Sequence, residues 1–163
     1  MSAILLSVKP EFAHAILDGS KTAEVRRRFP AQQLPATLYL YASSPERAII
    51  GTAELTCIER PRSADVWRLY RDTIQISRGS LATYLEDVED AAILRVDRPS
   101  RWAAPLPLAD LRLVVGVEPP QSFRYLTDDH VQLIDSWSSA SIPIADSDSE
   151  GEIALGPLAV TMR

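Results

Sequence analysis

The chain has 163 residues, 46% of them hydrophobic, and a formal net charge of −5. That length suits one domain with a real core, and no apolar run approaches the ~20 residues of a membrane-spanning helix. Cys57 is the only cysteine and the two histidines, His14 and His130, lie far apart, which excludes an internal disulfide and a thiolate zinc cluster.

Ile4 to Val8 reads as a short buried strand ended by Pro10, which also suits the first turn of a helix. Phe12, Ala13, Ala15, Ile16 and Leu17 give that helix an apolar stripe, and Gly19 fits the left-handed residue that closes it. A strand from about Lys21 to Arg28 follows. Thr37 to Tyr41 is a third strand, and Ala48 to Ile58 a fourth, with a bulge expected at Gly51. Ser63 caps a helix carrying Val66, Trp67, Leu69 and Tyr70, and a shorter helix holds Leu81, Tyr84 and Leu85. Ala91 to Val96 returns to strand, Pro99, Pro105 and Pro107 mark an extended connection, and Leu113 to Val117 is expected to be a last strand. His130 to Trp137 reads as a helix, Ala145 to Glu152 as a mobile acidic segment, and Ile153 to Met162 as apolar enough to dock back as a strand. Five or six short strands interleaved with helices, without βαβ repeats, indicate an α+β fold around a small curved or barrel-like sheet.

The charge is unevenly spread. Residues 127–163 carry seven acidic side chains against one Arg, while residues 1–126 carry 16 basic and 15 acidic groups. A near-neutral body leaves room for a local basic patch, which is all that nucleic-acid binding requires. The N-terminus lacks the basic region and apolar stretch of a signal peptide, and the compartment reads as cytoplasmic. Any metal site would have to be built of carboxylates. No sign of one is present, and neither a metal nor another cofactor is expected.

The most informative stretch is Gly19-Ser20-Lys21-Thr22-Ala23-Glu24-Val25-Arg26. Alternation along a strand puts Thr22, Glu24, Arg26 and Arg28 on one face, with Lys21 where the chain enters the strand. Unpaired buried charges cost several kcal/mol, so that face must be paired, wet or occupied by a ligand. Arg26, Arg27 and Arg28 form the densest basic run. They suit phosphates and bases as well as a solvated edge strand. Ser43 and Ser44, before Pro45, could hold a phosphate or simply make a polar turn. Tyr39 and Tyr41 could stack on a base, although at least one of them is expected in the core.

The order strand, Lys9-Pro10-Glu11, helix, then Gly-x-Lys-x-x-Glu-x-Arg resembles the ASCH domain, a relative of the PUA-like RNA-binding barrels. Gly19, Lys21, Glu24 and Arg26 fill the four defining positions, and Tyr41-Ala42-Ser43-Ser44-Pro45, Ile49-Ile50-Gly51 and Pro119 to Tyr125 are also similar to that family. The similarity covers about residues 4–126, which divides the chain into an ASCH domain over 1–126 and a helix with an acidic, partly mobile extension over 127–163. The resemblance implies a β-barrel whose cleft takes RNA, single-stranded nucleic acid or a modified nucleoside. The ligand would meet Lys9, Lys21, Glu24, Arg26, Arg28, Ser43, Ser44 and Arg124. Some members resemble amidohydrolases acting on acylated cytidine through a Lys, a Thr and a Glu, and others are linked to RNA cleavage. In this chain the position of that threonine holds Glu24, and Thr22 follows Lys21 directly. An enzyme would therefore use Lys21, Thr22 and Glu24, with Glu54 as second carboxylate on a strand expected beside the motif strand. A third possibility is a protein-interaction domain whose acidic end covers the basic cleft.

Overall fold

The computed structural model of the chain describes residues 1–140, so the acidic segment Ala145 to Glu152 and the strand expected within Ile153 to Met162 lie outside the described residues. The first strand, β1 (Ser2–Val8), is buried because strands pair with it on both sides. Pro10 opens α1 (Pro10–Asp18), and Gly19 closes it at φ 88°, a left-handed conformation that glycine adopts without strain. The chain continues through β2 (Ala23–Arg26), β3 (Ala36–Ala42) and β4 (Ala48–Glu59). Two helices, α2 (Ser63–Ile74) and α3 (Arg78–Tyr84), precede the long strand β5 (Ala92–Pro107). A short α4 (Leu108–Asp110) runs into a π-helical turn at Leu111–Val115, followed by β6 (Phe123–Tyr125) and α5 (Asp128–Ala140).

The six strands form one sheet in the order β2-β5-β4-β3-β1-β6, parallel only between β1 and β3. The sheet curls into a half-barrel flanked by the five helices. Bulges assist the curl: the register shifts between Leu40 and Tyr41 on β3, and three times between β4 and β5. One apolar cluster fills the inside of the curl around Ile4, Leu6, Ile16, Leu38, Leu55 and Leu94. A second, with Leu5, Tyr39, Tyr41, Leu111 and Ile134, lies under the π-helical turn and α5. A third packs α2 and α3 on Ala23, Val25 and Ile93.

The free edges of the sheet are β2 and β6, and side chains from the segment that follows β2 reach across to β6. The Phe29 and Phe123 rings have centroids 4.6 Å apart, and the Tyr125 hydroxyl donates to Gln32 Oε1 at 3.0 Å. This half-barrel is thus closed by side chains where a full barrel would use backbone hydrogen bonds.

The expected bulge at Gly51 is present, since Leu40 pairs with Gly51 and Tyr41 with Ile49, passing over Ile50. A Cβ at Gly51 would lie 2.4 Å from the Ser100 carbonyl oxygen and 2.8 Å from Leu17 Cδ2. Gly51→Ala is therefore expected to lower the unfolding free energy by about 1–3 kcal/mol through overpacking. Urea denaturation checks this, and an unchanged midpoint would mean that β4 and β5 part there without cost.

Three expectations are corrected. Ser63 does not cap its helix: it is the first residue of α2, the N-cap is Arg62, and no side chain caps that end. Leu113 to Val117 is not a strand: Leu111 and Val115, four residues apart, turn into the second cluster, while Leu113 is 84% exposed. That spacing suits a helical turn, and Gly116 ends it at φ 77°. The segment expected to be a connection continues β5 as far as Pro107. Its prolines fall where the register with β4 shifts or where the strand ends, positions that need no ladder N–H.

Candidate functional site

Alternation divides β2 as its sequence requires. Ala23 and Val25 pack under α2 and α3, and Glu24 and Arg26 project from the other face. Lys21 precedes the strand and turns its ammonium back to the Ile74 carbonyl at the end of α2. A cation there meets both an unpaired helix-end carbonyl and the negative end of the helix dipole. The adjoining backbone fixes the same joint, with the Thr22 N–H donating to the Thr73 carbonyl at 3.0 Å.

Lys21 and Glu24 are buried charged side chains, 1% and 4% exposed. Lys21 Nζ lies 3.6 Å from Glu24 Oε1 and 4.8 Å from the centroid of the Phe12 ring. Glu24 Oε2 lies 3.5 Å from Arg26 Nη2, and Oε1 accepts the Val25 N–H at 3.0 Å. Arg26 then reaches across the opening of the half-barrel: Nη2 donates to the Ser7 carbonyl at 2.7 Å and Nη1 to Ser122 Oγ at 3.3 Å. One carboxylate therefore sits between two cations, with the strand edges drawn together around it.

Burial pushes the Lys21 ammonium below its ordinary value of 10.5, against the pull of Glu24. The unfolded chain then holds that proton more tightly than the folded one. The cost is fully present below the lowered value and fades as pH rises towards 10.5. Wild type is accordingly expected to gain stability relative to Lys21→Met across that interval. Paired denaturation curves at stepped pH check it, and a pH-independent difference would mean that the folded state does not perturb Lys21.

In front of Glu24 and Arg26 lies an open cavity of about 340 Å³. Val8, Phe12, Val25 and Ile76 give it apolar walls, with Lys9 and Glu11 on the lip where β1 meets α1. Ser80 and Tyr84 of α3 and Gln121, before β6, complete the opposite side.

The structure brings together Lys9, Glu24 and Arg26 of the expected site, with Lys21 behind Glu24. Thr22 is exposed and lines, with Lys21, a separate cavity of about 170 Å³ that also touches Asp97. Glu54 is not beside the motif strand, because β5 lies between β2 and β4; its Oε2 lies 3.7 Å from Arg98 Nη1. Arg28 is exposed beyond the end of β2. Ser43 and Ser44 form the turn between β3 and β4, tied to the end of β1 by a 2.9 Å hydrogen bond from the Ser43 N–H to the Val8 carbonyl. Neither serine lines the 340 Å³ cavity. Arg124 pairs with Leu5, whose side chain belongs to the second cluster, so register sends Arg124 to the face away from Glu24. Its Nη1 donates to the Glu118 carbonyl at 3.4 Å. Tyr39 and Tyr41 are both buried; burial first, and then the 2.8 Å hydrogen bond that the Tyr39 hydroxyl donates to Asp135 Oδ1, raise the Tyr39 pKa well above the ordinary tyrosine value. Among the described residues no three His, Cys, Asp or Glu side chains are grouped to hold a metal, and no helix is long and apolar enough to cross a membrane.

The ASCH domain family model matches residues 6–100. An ASCH domain-containing ribonuclease from Zymomonas mobilis is 34% identical over 138 residues, covering 83% of this chain and 91% of the relative. The crystal structure of an ASCH protein from the same organism superposes with a TM-score of 0.78 at 31% identity, over 82% of this chain and 94% of that one. The human THYN1 protein, solved in complex with 5-methylcytosine-containing DNA, shares the fold at a TM-score of 0.53 and 14% identity, over 85% of this chain and 98% of that one.

Proposed function

The chain belongs to the ASCH domain family, and on that premise we propose that it binds RNA, with one nucleotide seated in the cavity between β1, α1, β2 and α3. The observation that supports this most is the pairing of Glu24 and Arg26, held side by side on the wall of a largely apolar space. A nucleotide needs flat apolar room for its base, fixed acceptors and donors for its polar edge, and a cation near its phosphate. Val8, Phe12 and Ile76 supply the first, Glu24 and Arg26 the second, and Lys9 the third. Lys21 holds Glu24 from behind and does not line this cavity. The volume lies at the lower end of the range for small-molecule sites, which suits a single nucleotide.

A second reading, RNA cleavage, is favoured by the relative named a ribonuclease at 34% identity. In that case Glu24 is the group placed to move a proton, since a general base must come within about 3 Å of it. Deacylation of a cytidine derivative is less well supported, because Thr22 and Glu24 line different cavities.

The test is to incubate wild type and Glu24→Gln with a labelled RNA hexamer, the matching DNA and acetylated cytidine, reading binding and product from the same samples. Binding of the hexamer by wild type, weakened in Glu24→Gln, is the expected result. RNA product made only by wild type would extend the reading to cleavage. Absence of both binding and product with RNA would overturn it.

A further inference from the structure

Tyr84 is 38% exposed on the rim of the 340 Å³ cavity, and the core does not need its ring. Leu81 of α3 and Leu85, which caps its end, are what this stretch contributes to the third cluster. An arginine stands at each end of α3. Arg27 Nη1 donates to the Tyr84 carbonyl at 2.8 Å and to the Glu86 carbonyl at 3.2 Å, which fixes a guanidinium at one end of α3. Arg78 is the first residue of α3, two positions from the lining residues Ile76 and Ser80 and not itself on the cavity wall. Arg78 is exposed and makes no hydrogen bond or ion pair with the described residues.

An exposed aromatic ring on a helix with an arginine at each end, directly outside a base-sized cavity, matches the needs of a single strand. Bases stack on aromatic rings whatever their identity, and guanidinium groups grip the phosphates that join them. A lone nucleotide would use the cavity alone and leave Arg78 idle. We propose that α3 is a second nucleotide subsite. The neighbouring base stacks on Tyr84, and Arg27 and Arg78 take the flanking phosphates, so the ligand is a single RNA strand of at least two nucleotides. This rests on the reading of the cavity as a nucleotide site.

The experiment compares an RNA hexamer with the four ribonucleoside 5′-monophosphates on wild type, Tyr84→Ala, Tyr84→Phe, Arg78→Gln and Arg98→Gln. Arg98 is a cation that does not line the cavity. Tyr84→Ala should weaken hexamer binding about tenfold, as for loss of one stacked base, and Tyr84→Phe should stay within about twofold. Arg78→Gln should reduce the salt slope of hexamer binding by about one and leave monophosphate affinity unchanged. Arg98→Gln should change neither, and thermal melts confirm that each variant is folded. Equal losses in Tyr84→Phe and Tyr84→Ala, an unchanged slope in Arg78→Gln, or an equal loss in Arg98→Gln would each overturn the subsite. Wild type that binds monophosphates but holds the hexamer no more tightly would overturn the subsite and leave the cavity reading standing. Wild type that binds neither would overturn both.

Discussion

Glu24→Ala is expected to lower the unfolding free energy by about 3–5 kcal/mol, the usual cost of removing one partner from a buried ion pair. Glu24 is the anion shared by two cations: Oε1 lies 3.6 Å from Lys21 Nζ and Oε2 3.5 Å from Arg26 Nη2. Its loss leaves those cations with no anion between them, and also strips the Val25 N–H of its acceptor. Glu24→Gln should cost less, since the amide keeps the shape and one acceptor and removes only the charge. The pair Lys21→Met with Glu24→Gln should cost less than the sum of the two single changes, because each removes a charge that the other would leave stranded. Urea denaturation of the four proteins completes the cycle. A loss below about 1 kcal/mol in Glu24→Ala would place the cluster among solvated ion pairs, which contribute little.

The same cluster marks how far the sequence could be read. Alternation along one strand was enough to separate Glu24 and Arg26 from Ala23 and Val25, and a proline and a glycine bracketed α1, because each of these depends on neighbours in the chain. Lys21 was legible as a residue of consequence but not as a helix cap. Its partner at Ile74 is 53 positions away, and nothing local says which helix end will come to meet it. The placements of Arg124 and Glu54 were out of reach for a related reason. Which face Arg124 takes depends on its register with Leu5, and which strand lies beside β2 depends on the crossover that inserts β5 there. Register and strand order are long-range properties that composition and spacing leave open. The place of Tyr84 on the cavity rim was also hidden, since in so short a helix it looks no different from its core neighbours, Leu81 and the capping Leu85. The π-helical turn misled through its run of Leu, Val and Val, which suits a strand until Leu111 and Val115 are seen to share one cluster.

Arg26→Ala is expected to weaken RNA binding roughly thirtyfold or more, about 2 kcal/mol at least, as for truncation of a buried hydrogen-bonded charge. Arg26 both lines the cavity and closes its opening: from the edge strand β2 it reaches the Ser7 carbonyl on β1 and Ser122 just before β6. Strand β6 is three residues long and pairs only with β1, so few backbone bonds hold it. The Ser7 N–H donates to the Ser122 carbonyl at 2.9 Å and Ser7 Oγ to the Pro120 carbonyl at 2.6 Å, which keeps the segment attached when Arg26 is removed. The fold should therefore survive. Hydrogen exchange should quicken at Phe123–Tyr125 while Leu38–Leu40, in the middle of the sheet, stays protected. Arg26→Lys separates the two roles. An ammonium keeps the positive charge beside Glu24 but lacks the planar fork that spans Ser7 and Ser122 together. It should thus restore most of the stability lost in Arg26→Ala and only part of the RNA affinity. If both variants loosened β6 yet bound the hexamer as wild type does, Arg26 would be a clasp of the half-barrel and no part of the ligand site. Recovery of full affinity in Arg26→Lys would instead make charge, and not forked geometry, the property that the ligand reads.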